Sequence, residues 1–118
     1  MGAELEALTA AGIDCAQGLE RFLGNEGLYT SFLKKFLNDG SAAAFKEDLA
    51  AGDLEKAEKD VHTLKGTAGN LSLTRLFQAA DATVKALRAG EDRSKIDALA
   101  AEVEKVHKET CEAIRSIA

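Results

Sequence analysis

Proline and tryptophan are absent from this chain, tyrosine and methionine occur once each, and only two cysteines and two histidines are found in 118 residues. Without proline, no residue type forbids long uninterrupted helices. Cys15 and Cys111 lie far apart and match no metal-binding spacing. In a reducing compartment such cysteines are expected to be buried apolar fillers rather than a disulfide. No apolar run reaches the ~18 residues that a membrane span requires, and no signal-peptide pattern is present. The opening Met1-Gly2 is not a myristoylation site, because Glu6 stands where that pattern requires Ser or Thr. These absences point to a cytoplasmic chain without membrane insertion. A formal net charge of −5 argues against nucleic acid as a partner, since neutralising a phosphate backbone calls for a basic surface.

What remains is a helical composition. Ala, Leu, Lys and Glu dominate, and the length suits one domain with a single core and no staples. Helix signals follow one another at short intervals. Asp14 with Gln17 reads as a capping box opening a short helix that ends near Gly24, and Asn25 caps a second reaching about residue 38 with Leu28, Phe32, Leu33, Phe36 and Leu37 as its buried face. A third starts at Ser41, carries Phe45 and Leu49, and stops at Gly52. Asp53 caps a fourth over residues 53–70. Ser72 is placed to cap a fifth, with Leu73, Leu76, Phe77, Ala80, Val84 and Leu87 facing inward until Gly90. The last covers residues 94–117, with Ile96, Leu99, Val103, Val106, Thr110, Ala113 and Ile117 as a nearly heptad stripe. Short connections make neighbours antiparallel. The expected fold is all-α: an up-and-down antiparallel four-helix bundle of the helices beginning near Asn25 or Ser41, Asp53, Ser72 and Ser94, with additional short N-terminal helical structure packed over one end. Residues 1–118 form one domain, expected to be a monomer.

The register of the fourth helix singles out His62. Leu54, Ala57, Val61, Leu64, Ala68 and Leu71 recur at steps of three and four and form one apolar stripe. At about 100° per residue, His62 points roughly 130° from the centre of that stripe, on the side shared by Glu58, Lys65, Gly66 and Gly69. An imidazole can be a nucleophile near neutral pH, and here it stands one turn from a cation. Glycine inside a helix costs about 1 kcal/mol relative to alanine, so Gly66 and Gly69 weaken the helix that carries the histidine. Gly66 points almost directly away from the stripe, which favours access by a visitor, whereas Gly69 fits close packing against another helix better. His107, between Lys105 and Lys108 with no glycine nearby, is expected to be solvated. It forms a Glu-x-x-His pair with Glu104, but di-metal bundles use such pairs in duplicate and no duplicate is present, so no metal site is expected. No glycine-rich phosphate loop, nucleophile elbow or kinase motif occurs, and no ATP-dependent kinase activity is expected.

The run Val61-His62-Thr63-Leu64-Lys65-Gly66-Thr67-Ala68-Gly69 reads H-x-L-K-G-x-A and resembles the phosphorylation motif of histidine-containing phosphotransfer (HPt) domains. Gly12-Ile13-Asp14, Gly18-Leu19-x-Arg21-Phe22 and Asn25-x-x-Leu28-Tyr29-x-x-Phe32 also look like the amino-terminal helices of bacterial members, so the resemblance covers most of the chain. It implies a phosphorelay carrier of two-component signalling, in which a surface histidine on a four-helix bundle takes a phosphoryl group from the aspartate of a response-regulator receiver domain and passes it to another. On that resemblance His62 is the phosphorylated residue and Lys65 the cation beside the phosphate. Gly66 and Ala68 keep the surface accessible, and Glu58, Gly66 and Gly69 belong to the partner-binding face. No cofactor is implied for this chain, and Mg²⁺ is expected on the receiver. The partners implied are receiver domains, with a hybrid sensor histidine kinase as a further one; the chain is either free-standing or cut from the carboxyl end of such a kinase. One position departs: Ser72 stands where the family often has a second glycine. The competing reading is a non-catalytic helical adaptor that binds a partner helix in an apolar groove and does not need His62.

Overall fold

The computed structural model describes the backbone of residues 2–117 and the side chains of residues 5–117. Seven helices follow in order among the described residues: α1 (Gly2–Ala10), α2 (Cys15–Arg21), α3 (Glu26–Phe36), α4 (Ser41–Ala50), α5 (Leu54–Asn70), α6 (Thr74–Arg88) and α7 (Arg93–Arg115). Three starts are closed by the side chains the sequence nominates. Asp14 accepts from the Gln17 amide, Asn25 from the Leu28 amide and Asp53 from the Lys56 amide, at 3.1, 2.9 and 3.1 Å. Each satisfies an amide that has no partner within its own helix. The reciprocal half of the box at Asp14 does not form. The Asp14 amide donates to the Ser72 carbonyl instead, and the Gln17 side chain accepts from the Ser72 hydroxyl.

Helix α4 packs on α5, α5 on α6, α6 on α7, and α7 returns to α4, which closes a four-helix bundle. Its first corner is shared. Phe45 and Leu49 of α4 pack with Ala57, Val61, Val84 and Ile96 at one end, while Tyr29, Leu33 and Phe36 of α3 pack with Leu64, Ala68, Val106, Cys111 and Ile114 at the other. The break between α3 and α4 thus lets two short helices together flank the long α7. Leu8 of α1, Cys15 of α2 and Ile13 of the connection between them add to the second end. Both cysteines are free and buried.

The sequence misplaces some of the faces. Tyr29 rather than Leu28 and Phe32 enters the core from α3, leaving the other two exposed. The reason lies on other elements: the Tyr29 hydroxyl donates to the Leu71 carbonyl at 2.8 Å, and a Cβ at Gly18 would fall on its ring. Leu54, assigned to the stripe of α5, is exposed at the first position of the helix. Helix α6 begins at Thr74, with Leu73 and not Ser72 at its N-cap position and no side-chain cap bond there.

Candidate functional site

Helix α5 is anchored at both ends, and His62 stands near its middle. Ala57, Val61, Leu64 and Ala68 are fully buried, so they fix the rotation of the helix, and the imidazole is exposed on the opposite side. After Asn70 the helix closes in a Schellman turn: the Leu73 amide donates to the Ala68 carbonyl at 2.8 Å and the Ser72 amide to the Gly69 carbonyl at 3.2 Å. Such a turn needs a left-handed residue between them. Ser72 fills that place at φ +57°, a conformation that glycine adopts without strain and serine does not. Its buried hydroxyl donates to Gln17 Oε1 at 2.9 Å, which ties the end of α5 to the start of α2.

His62, Lys65, Gly66 and Gly69 line one open groove of about 610 Å³, together with Asp14, which caps α2, Gln17 and Arg21 of α2, and Thr74, Phe77 and Gln78 of α6. Those α2 and α6 residues were not found from the sequence. The Thr74, Phe77, Gln78 and Asp81 spacing does put them on one side of α6, but only the packing of α6 on α5 brings that side to the histidine. Glu58 does not line the groove; its carboxylate accepts from Arg88 Nε of α6 at 3.3 Å.

The two glycines separate as the register indicates. A Cβ added at Gly66 would meet nothing within 4 Å, whereas at Gly69 it would stand 3.3 Å from the Phe77 ring. Gly66 leaves open surface one turn from His62, and Gly69 lets α6 approach.

Lys65 is held. Its ammonium lies 3.0 Å from Asp81 Oδ1 of α6 and 5.8 Å from the centre of the Phe77 ring, and Lys85 reaches the other oxygen of Asp81 at 2.9 Å. Hydrogen bonds from Lys85 and Lys65 hold the Asp81 carboxyl below the usual carboxylate range, although burial opposes them.

His107 is not solvated. Its ring packs at 5.7 Å against Phe36 with Cys111 Sγ 3.5 Å from Nε2, because α3 crosses α7 at this level. Burial lowers its pKa, and Asp39 opposes that shift. Among the described residues, no group of three or more His, Cys, Asp or Glu is placed to hold a metal ion. No helix among them is long and apolar enough to cross a membrane.

The family model of the Hpt domain matches residues 14–116, nearly the whole chain. Neither a curated protein nor a solved structure matches.

Proposed function

Because the chain belongs to the Hpt domain family, whose members carry phosphoryl groups on histidine in two-component signalling, we propose that His62 is its phosphoryl-carrying residue. The observation that carries this reading is an exposed imidazole in the H-x-L-K-G run, on a groove that Lys65 of the same helix also lines and that Gly66 leaves bare one turn away. In the reaction, a neutral imidazole nitrogen attacks the phosphorus of a receiver's aspartyl phosphate in line with the leaving oxygen. The N–P bond forms as the P–O bond breaks, and the aspartate leaves as a carboxylate. No general base on this chain is required, since the attacking nitrogen carries a lone pair and no proton has to be removed first. The phosphoimidazole is itself a good donor, so the step runs backward to a second receiver.

The partner supplies the acyl phosphate and the Mg²⁺ that organises it. The part of this chain is to present the nitrogen, keep the approach clear and place Lys65 where negative charge collects on the phosphoryl oxygens. A receiver covering His62 would lie over the groove toward α2, where Arg21 forms part of the wall.

Incubation with a radiolabelled phosphorylated receiver tests the assignment. Label should appear on this chain in an acid-labile, alkali-stable form. His62→Gln should abolish acceptance and leave the helical circular dichroism and melting temperature unchanged, because exposed substitutions move stability by only about 0.5 kcal/mol. A labelled or unfolded His62→Gln chain would show that His62 is not an exposed phosphoacceptor.

A further inference from the structure

The cation one helical turn from His62 is already engaged in the unphosphorylated protein. Lys65 belongs to a three-member cluster in which Asp81 takes one ammonium on each oxygen, Lys65 at 3.0 Å and Lys85 at 2.9 Å. The Lys65 and Asp81 side chains are only 27% and 23% exposed, so this contact is better sheltered than an ordinary surface pair, while Lys85 is 75% exposed. Glu58, the carboxylate one turn before His62, is engaged by Arg88.

Charge balance gives the cluster a direction. A phosphoryl group brings close to two negative charges near neutral pH, and an ammonium cannot remain in ideal contact with both Asp81 and the new oxygens. If Lys65 leaves, Asp81 keeps Lys85 and no carboxylate is stranded. The second lysine therefore makes the exchange cheap, which a simple Lys65–Asp81 pair would not.

We propose that Asp81 is a positioning residue that holds Lys65 against α6 in the unphosphorylated protein and competes with the phosphoryl group for its ammonium, so that Asp81 tunes the charge state and stability of phosphorylated His62. This rests on the reading of His62 as the carrier. The contest is local, and Lys65 is the member of the cluster that also lines the groove with His62.

Phosphoramidate, a small donor that needs no receiver, can phosphorylate the histidine directly, and the ionisation of the bound group can be followed by ³¹P NMR as pH is varied. With Asp81→Asn, Lys65 is released to the phosphoryl group, whose ionisation midpoint should fall as its acidity constant rises by about three- to tenfold. Lys65→Ala should move the midpoint the other way. The double variant should match Lys65→Ala alone, because Asp81 acts through Lys65. An unchanged or raised midpoint in Asp81→Asn would overturn the proposal. So would the same fall in the Lys65→Ala background, since that would be a direct field effect of Asp81. Melting curves of each variant show whether the fold is retained, and Asp81→Ala provides a second removal of the charge should Asn form a new contact. A phosphohistidine signal that persists in His62→Gln would instead overturn the carrier assignment, and the proposal with it, and is recognised by that variant alone.

Discussion

At Gly66 the interests of the helix and of the site part company. A glycine within a helix gives up about 1 kcal/mol relative to a residue with a side chain, and the open space around Gly66 shows that no neighbouring helix requires the loss. Gly66→Leu should therefore leave the melting temperature equal or raise it, while cutting the rate of transfer from a phosphorylated receiver by about tenfold or more, because bulk one turn from His62 holds a partner's reacting oxygen out of line. Slowed transfer with an intact fold is the expected pair of results. Normal transfer would mean that no partner docks across this face, and a lowered melting temperature would mean that Gly66 serves packing. Gly69 supplies the contrast, since there the Phe77 ring must yield to any side chain. A bulky control belongs at Lys105, exposed on α7, and not at His107, whose ring is part of the packing between α3 and α7.

At the scale of the elements, the turn between α5 and α6 does the most to hold the site. It receives three tethers: the Tyr29 hydroxyl from α3, the Asp14 amide and the Gln17 side chain from α2. Ser72 at its centre combines a strained backbone with a buried hydroxyl bond, and the two can be separated. Ser72→Gly relieves the left-handed strain, about 1 kcal/mol, and loses a hydrogen bond of similar worth, so its stability should stay within about 0.5 kcal/mol of the parent. Ser72→Ala loses the bond and keeps the strain, and should be about 1 kcal/mol less stable in urea denaturation. Equal stability of the two variants would remove the backbone argument. The same turn shows what can be read from the chain. Asp14, Asn25 and Asp53 were legible as caps because a cap is a contact over three residues, and His62 was legible because register on α5 depends only on α5. Ser72 has the composition of a cap, yet its role is set by a turn that two helices and a distant glutamine define. Tyr29 turns inward because Gly18 and Leu71 make room and a partner for it. Asp81 is sixteen residues from Lys65 in sequence and meets it only through packing of α6 on α5.

The stability of the whole molecule depends on pH through a pair of carboxylates that bridges two of its helices. Asp60 of α5 has one oxygen buried with no hydrogen-bond partner among the described residues. Its pKa is raised from 3.8 to about 6, first by burial and then by a hydrogen bond and charge repulsion from Asp48 of α4; Asp53 adds to the rise and Lys56 opposes it. The protonated form can donate to Asp48, so the folded chain binds this proton more tightly than the unfolded chain does. Stability from this group is then full below the ordinary carboxylate value and is lost as pH rises through about 6. His107 runs the other way: the fold favours its neutral form, so that contribution is present above the ordinary imidazole value and is lost as pH falls. The parent's pH profile mixes the two, and a difference between chains that both keep His107 removes the histidine. Asp60→Asn should be about 1 kcal/mol more stable than the parent at neutral pH, a discounted value because the side chain is partly exposed, and should converge on it at about pH 3, below the ordinary carboxylate value. Urea melts at both ends of that range give the difference directly. An Asn variant that is less stable at neutral pH would mean that ionised Asp60 stabilises the fold, most simply through Lys56 one turn away on α5, and would reverse the sign assigned to the pair.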